Sequence, residues 1–453
     1  MNPSHMNRRK FLGTAAGLAG ALSALGLSRP AFAAVDDYKA LVCVYLAGGN
    51  DGNNMIVPLD DTRYAAYTRL RAPAGLALSA GAGTLLGARS AQTQAVDAPV
   101  TQPFAFHYGM PEIDALYARG QVAAVLNLGN LRQPMTRADY LAGTALPSQL
   151  FSHPDQMFQT QAGTPTGGGT GWGGRLVDAL GAGGNLAAVS LGGGGLFIEG
   201  ATTHGNALPS SGTISLQGMN FWPQTAANAR RAALLQILGT DTGNVIANGA
   251  NRALLEGTQL AASLQGAAGT PVATPFPGTA LGNQLRTIAQ MIRMRMAQGP
   301  GRQVYYVTLG GFDTHGAQAW QHFDLLRRLS QAVAAFQAAL EEIGAAQRVT
   351  TFTASEFGRS LQPSSNGTDH GWGSHQLVIG GAVRGGLYGR FPEFTLGGSD
   401  DATGRGVWIP QISNQQFGAT LGRWFGVAPA QLATQVFPNE LSNFARSDLG
   451  FMG

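Results

Sequence analysis

The chain has 453 residues, of which 12% are charged, 44% are hydrophobic and 65 are glycine. Residues 1–33 hold four bases (Arg8, Arg9, Lys10 and Arg29) and no acid; setting them aside leaves 25 bases against 25 acids, a neutrality that excludes the broad basic footprint nucleic acid requires. The one cysteine, Cys43, excludes an intrachain disulfide, and its place inside the apolar run "LVCVYL" reads as a buried strand thiol.

In chain order, "NRRKFLG" (7–13), a weakly apolar stretch diluted by glycine and alanine, and "AFA" (31–33) form a twin-arginine export signal, residues 1–33, with the mature chain starting at Ala34. The stretch falls short of the roughly 20 strongly apolar residues of a membrane span, so no transmembrane anchor is expected after cleavage and the location is periplasmic or secreted. The run "LVCVYL" (41–46) predicts a first strand. "MPEIDALYARG" (110–120), with Pro111 just inside the start and Gly120 at the stop, predicts a helix leading into the strand "QVAAVL" (121–126). "TGGGTGWGG" (166–174) follows no strand and lacks a P-loop lysine, so it is not read as a phosphate cradle. A strand at "AAVSL" (187–191) is followed over 225–300 by helices separated by "GTDTGN" and the linker "GAAGTPVATPFPGTA". Strands at "QVYYVTL" (303–309), "VTTFTA" (349–354) and "QLVIGG" (376–381) complete the set, with a helix over 319–343 whose Phe323, Leu326, Leu329, Val333, Phe336, Leu340 and Ile343 share one face.

Short continuous apolar runs suit strands buried on both faces, and their alternation with helices predicts a three-layer α/β sandwich with a mostly parallel central sheet. The expected organisation is one α/β domain over 34–453, in which 160–300 contains a glycine-rich and helical insertion. Ligand sites in such folds lie beyond the carboxyl ends of strands, where four polar motifs fall. "LAGGNDGNN" (46–54) offers Asp51, although an Asx-rich turn accounts for it as well. "GGFDTHGAQ" (310–318) puts Asp313 and His315 on the same side of an extended segment, as a ligand pair or with Asp313 capping the next helix. "TASEFGRS" (353–360) carries Glu356 and Arg359, and "NGTDHGWGSHQ" (366–376) packs Asp369, His370 and His375 into a glycine-rich loop. Imidazoles and carboxylates at several strand ends are the donor set of a divalent cation, Zn, Mn, Ca or Mg. A fifth segment, "LFSHPDQMFQTQ" (150–161), places Ser152 at a helix start as a nucleophile or as a plain N-cap with His153 beside it.

Together the export signal, "GGNDGNN", "GGFDTHGAQ", "SEFGRS" and "DHGWGSH" resemble the domain-of-unknown-function 1501 family over nearly the whole mature chain, and this family resembles a branch of the alkaline phosphatase and sulfatase superfamily. The resemblance implies an alkaline-phosphatase-like fold, with Asp51 matching the metal-binding aspartate after the first strand. It also implies Ser152 as nearest candidate nucleophile, Asp313 and His315 as later ligands, and His370 or His375 as the loop histidine. Where the superfamily has an Asp-His pair at a strand end, this chain has Glu356-Phe357, which removes one imidazole unless His370 supplies it from the loop. The implied activity is exported, metal-dependent hydrolysis of phosphate or sulfate esters on a small anionic ester or glycan. Asp51, Asp313, His315, Glu356, Asp369, His370 and His375 would hold the metal, and Arg359 an anionic substrate. The alternative is a non-catalytic exported binding or assembly protein on a degenerate hydrolase fold. A metal-free Ser-His esterase fits less well, since no G-x-S-x-G occurs.

Overall fold

A computed structural model describes residues 38–453 except 82, 165–167, 211–217, 270 and 299–300. The export signal expected over 1–33 and the start of "TGGGTGWGG" lie outside the described residues. The strands, in chain order, are β1 (Tyr38–Ala47), β2 (Ile56–Pro58), β3 (Leu85–Gln94), β4 (Thr101–His107), β5 (Val122–Gly129), β6 (Ala188–Ser190), β7 (Asn206–Ala207), β8 (Gly301–Gly310), β9 (Val349–Ala354), β10 (Arg359–Ser364), β11 (Gly367–His370), β12 (Ser374–Ile379), β13 (Gly386–Tyr388) and β14 (Ile412–Ser413). Twelve of them form one sheet in the order β2-β4-β3-β13-β5-β12-β9-β1-β8-β6-β7, with β14 pairing β5. Its centre is parallel: β1 lies between β8 and β9, both parallel to it, and β8 continues parallel to β6. β12 is antiparallel to its neighbours β5 and β9.

The apolar run of β1 shows why the sheet sits in the middle. Its alternate residues Val42, Val44 and Leu46 join one core cluster, packed with Leu285, Ile288, Leu326, Leu329, Val333 and Phe336 of the helices Ala280–Met296 and Gln318–Glu342. Leu41, Cys43 and Tyr45 point the other way, into a second cluster with Trp172, Leu176, Phe417 and Phe425 from the helices Trp172–Ala179 and Asn414–Phe425. Two apolar faces, each covered by helices, make the three-layer α/β arrangement, and a run without polar alternation is the sequence consequence.

All six strands expected from apolar runs are present, as are the helix Pro111–Ala118 and the long helix Gln318–Glu342. The helices Gln224–Leu238 and Val245–Ala268 flank "GTDTGN", while β6, inside 160–300, belongs to the central sheet. Two things differ from expectation. β3 and β4 pair at one side of the sheet, and β3 is mostly solvent-facing, so its small and polar residues carry no apolar signal. The segment read as a glycine-rich loop is partly strand: β11 pairs antiparallel with β10, setting His370 opposite Arg359.

Because β1, β8 and β9 run parallel and in register, with Ala47 beside Gly310 and Tyr45 beside Ala354, their C-terminal ends meet at one edge. The antiparallel β12 begins at that same edge, and the β10–β11 hairpin folds over it.

Candidate metal centre

Two polar clusters form at this edge. The deeper one is built around Asp51, whose side chain is fully buried. Arg71, also fully buried, reaches from the helix Asp61–Arg71 and donates from Nη1 to Asp51 Oδ2 at 2.5 Å and from Nη2 to Oδ1 at 3.1 Å. Gln318 Nε2 donates to the same Oδ2 at 2.5 Å. The remaining guanidinium hydrogens go to Asn54 Oδ1 and to the carbonyls of Leu361 and Ser360. Burial works against the Asp51 carboxylate, but the Arg71 charge and hydrogen bonds hold its pKa below the usual range. Asp51 is thus saturated by its own protein.

His322 and His375 lie in the same interior. His322 Nε2 meets Asn50 Oδ1 at 3.0 Å, and His375 Nδ1 accepts the Asn127 N–H at 3.1 Å with its ring against Phe391. Burial pushes each down to about 4. His375, expected among the ligands, belongs to this interior.

The second cluster opens towards solvent. Asp313 follows β8 and does not cap the next helix, which starts at Gln318 behind Ala317. Gly48 makes the approach of β1 to this segment feasible: its φ is +119° and a Cβ there would lie 2.3 Å from the Asp313 nitrogen. Three imidazoles converge on Asp313 Oδ1. His315 Nε2 lies 3.0 Å away, His370 Nε2 3.4 Å and His153 Nε2 3.4 Å. His315 Nε2 and His370 Nε2 are 3.0 Å apart. The donor atoms of His153, Asp313 and His370 all lie within 4.8 Å of one another, a grouping able to hold a metal ion.

The opposite ring nitrogens of His153 and His370 are held by acceptors. Glu356 Oε1 accepts the Gly48 N–H at 2.8 Å and meets His153 Nδ1 at 2.9 Å, so the proton of that ring sits on Nδ1. His370 Nδ1 meets the Phe151 carbonyl at 2.8 Å and must donate there. His315 Nδ1 faces Asp369 Oδ1 at 3.5 Å, while Arg359 Nη1 approaches His315 Nε2 at 3.4 Å as a donor. With Nδ1 of His153 and His370 turned to Glu356 and Phe151, their Nε2 atoms face Asp313, and His153 Nε2 is buried without a hydrogen-bond partner. Burial, opposed by the Phe151 bond, pushes His370 below its ordinary pKa, which favours the neutral ring.

Arg359 organises the cluster from beneath. Its side chain is fully buried, and it donates to the carbonyls of Gly48, Gly49, Phe312 and Thr368 and to Asp313 Oδ1. Burial works against the Asp313 carboxylate, but Arg359 with His153 and His315 holds its pKa below the usual range. Asp369 is steadied by Arg405, which donates to its Oδ2 at 2.6 Å. Ser152 stands at the start of the helix His153–Ala162, with Oγ donating to Asp155 Oδ2 at 2.5 Å.

Of the residues singled out in the sequence, the structure brings together Asp313, His315 and His370, with Asp369 and Arg359 touching them and Glu356 touching His153. It keeps Asp51 and His375 in the other cluster. His153, read in the sequence only as the neighbour of Ser152, is the member that reasoning missed; a histidine at a helix start before proline is a weak signal by itself. The ring of His370 lies 4.7 Å from that of Phe357.

The fold and this edge define an α/β protein with an imidazole–carboxylate centre beyond its parallel strands. Residues 38–433 match the family described as "Protein of unknown function (DUF1501)", and the chain belongs to it. No curated protein matches it. Among solved structures, it is similar to Ps i-CgsB in complex with k-i-k-neocarrahexaose, at 10% identity, a TM-score of 0.35 and coverage of 90% of this chain and 77% of the other. The lipoteichoic acid synthase LtaP from Listeria monocytogenes matches at 7% identity and a TM-score of 0.35, covering 89% and 76%. A phosphonate monoester hydrolase of Agrobacterium radiobacter matches at 9% identity and 0.32, covering 86% and 74%.

Proposed function

We propose that the protein is an exported, metal-dependent hydrolase of phosphate or sulfate esters. The observation that carries the reading is the convergence of ligand atoms of His153, Asp313 and His370 within 4.8 Å of one another, a grouping able to hold a cation. A divalent cation there supplies Lewis acidity towards an ester oxygen and makes a nucleophile easier to deprotonate. Ser152, next to His153 in the chain and hydrogen-bonded to Asp155, is the candidate nucleophile. Arg405, half-exposed and paired with Asp369, is the guanidinium this reading assigns to a small anionic ester or glycan. Export follows the paired arginines and "AFA" of the N-terminal segment.

The test pairs elemental analysis of protein purified from the exported fraction with turnover of aryl phosphate, aryl sulfate and carboxylic ester substrates. Phosphate or sulfate ester turnover that disappears in Asp313→Ala and, with metal retained, in Ser152→Ala is the expected result. Turnover that survives complete metal removal would sink the reading. One observation favours a non-catalytic binding or assembly role: Arg359 directs its hydrogens to carbonyls and Asp313, and so offers no group to a substrate. Bound metal without turnover on the whole panel would favour that role.

A further inference from the structure

We infer that the helices Gln224–Leu238 and Val245–Ala268 form a docking hairpin whose partner is a second copy of this chain, joined through the uncovered half of one apolar seam. The inference stands apart from the metal centre and from the hydrolase reading.

The seam lies on the second helix. Ile246, Ala250, Ala253, Gly257, Leu260 and Leu264 follow one another at steps of four, three, four, three and four, the spacing that keeps a stripe on one face and pairs two helices. Its C-terminal end is already in use. Leu260 and Leu264 are 5% and 1% exposed and join the core cluster with Leu281, Leu285 and Ile288 of the helix Ala280–Met296. The same stripe then runs on into solvent: Ile246 is 84% exposed, Leu254 at its border 39%, and Ala250, Ala253 and Gly257 are exposed as well. The first helix of the hairpin meets a different side of the second. Leu238 lines one crevice with Asn248, Asn251 and Leu255, and Leu234 lines another with Thr258 and Ala262. The seam is therefore a helix-packing surface of which the fold covers only part.

Size and charge decide what fits the rest. Alanine and glycine over the exposed span let a second helix backbone approach closely, whereas a lipid surface selects bulky Trp, Phe and Leu ringed by bases. Val245–Ala268 holds one base, Arg252, and one acid, Glu256, so it is neutral and has no excess charge to attract anionic lipid. Those two residues sit beside the seam as an exposed pair at 3.3 Å, and the arrangement is self-complementary. A two-fold axis near Ala253 and Leu254 turns two copies end for end and sets Arg252 of each across from Glu256 of the other. Parallel copies would compete for the part of the seam that the helix Ala280–Met296 fills; the end-for-end arrangement avoids it. From Ile246 to Gly257 the free span is about 17 Å long at 1.5 Å per residue. That is short beside interfaces burying roughly 800 Å² per partner, so a dissociation constant on the order of 10 µM is expected.

The experiment is sedimentation equilibrium of the mature chain, residues 34–453, from about 1 to about 100 µM. A monomer–dimer equilibrium is expected, weakened at least ten-fold in Ala253→Glu and unchanged in Ala229→Glu, on the exposed outer side of the first helix. Both positions are solvent-facing, so thermal unfolding at low concentration should match the wild type in each. Ala253→Cys should form a disulfide with its own copy under mild oxidation, since the native Cys43 is buried and does not compete. A monomer at every concentration would overturn the inference. So would a dimer that survives Ala253→Glu, or one lost in Ala229→Glu instead. A monomer that binds anionic vesicles would assign the seam to a membrane, and a monomer that retains a different exported protein through Ala253 would assign it to that protein; either result contradicts the second copy.

Discussion

The two clusters at the C-terminal edge of the sheet begin from similar sequence, a strand ending in glycine and then Asn, Asp or His, and finish in opposite states. Around Asp51 the carboxylate finds Arg71 and Gln318, and its charge is answered inside the molecule. Around Asp313 three imidazole Nε2 atoms approach the same carboxylate oxygen within 3.0–3.4 Å, beside the fully buried Arg359 that donates to it. The two differ in access: the Asp51–Arg71 pair is fully buried, whereas the Asp313 group is half-exposed and includes His153 Nε2, a buried nitrogen without a partner. The difference lies in what reaches each aspartate from distant segments, not in the aspartate motif.

Substitutions should separate the two. The largest effect is expected in the open cluster: His370→Ala removes one of the inward nitrogens, and bound metal and ester turnover should both vanish while circular dichroism remains that of the wild type. In the closed cluster, Arg71→Met leaves Asp51 buried without its partner. Stability in urea should fall by about 3–5 kcal/mol with metal affinity little changed once refolded protein is assayed. A loss of metal in Arg71→Met, with the fold preserved, would break the distinction between the clusters.

Acidification should sharpen it further. His322 and His375 stay neutral in the folded state down to about 4, against an ordinary value of 6.5. Between those values the unfolded chain binds protons that the folded chain refuses. The stability each ring contributes is therefore present in full above pH 6.5 and lost as pH falls towards 4, by up to ~3 kcal/mol per ring. Urea midpoints measured from pH 7 to pH 4.5 should drop, and His322→Gln should flatten the slope; an unchanged slope would place the acid sensitivity elsewhere. The smallest effect is expected from Asp369→Asn, which loosens the 3.5 Å contact to His315 Nδ1 and should weaken metal binding by about ten-fold or less.

Sequence alone carried the scaffold well, because each central strand is an apolar run buried on both faces and each helix near them repeats at three and four residues. It carried Asp313, His315 and His370 as candidates through their position after strands. It could not separate Asp51 from them, since Arg71 sits 20 residues away on a helix that carries no metal-site signature. Nor could it bring His153 to Asp313, a contact spanning strands, hairpin and helix start that no local spacing encodes. His370 escaped its loop reading for a related reason: the β10–β11 hairpin fixes it through pairing with Arg359, a register invisible in "NGTDHGWGSH". Gly367 contributes there, since a Cβ at that position would come within 2.2 Å of the His315 carbonyl carbon.

The central claim is that imidazole nitrogens, anchored from behind, converge with Asp313 on one cation. X-ray absorption at the metal edge of the zinc-loaded protein tests it most directly. The account predicts a nitrogen and oxygen shell near 2.0–2.1 Å with the outer-shell scattering of imidazole rings, diminished in His153→Ala. A shell of oxygen scatterers alone, unchanged by that substitution, would contradict it.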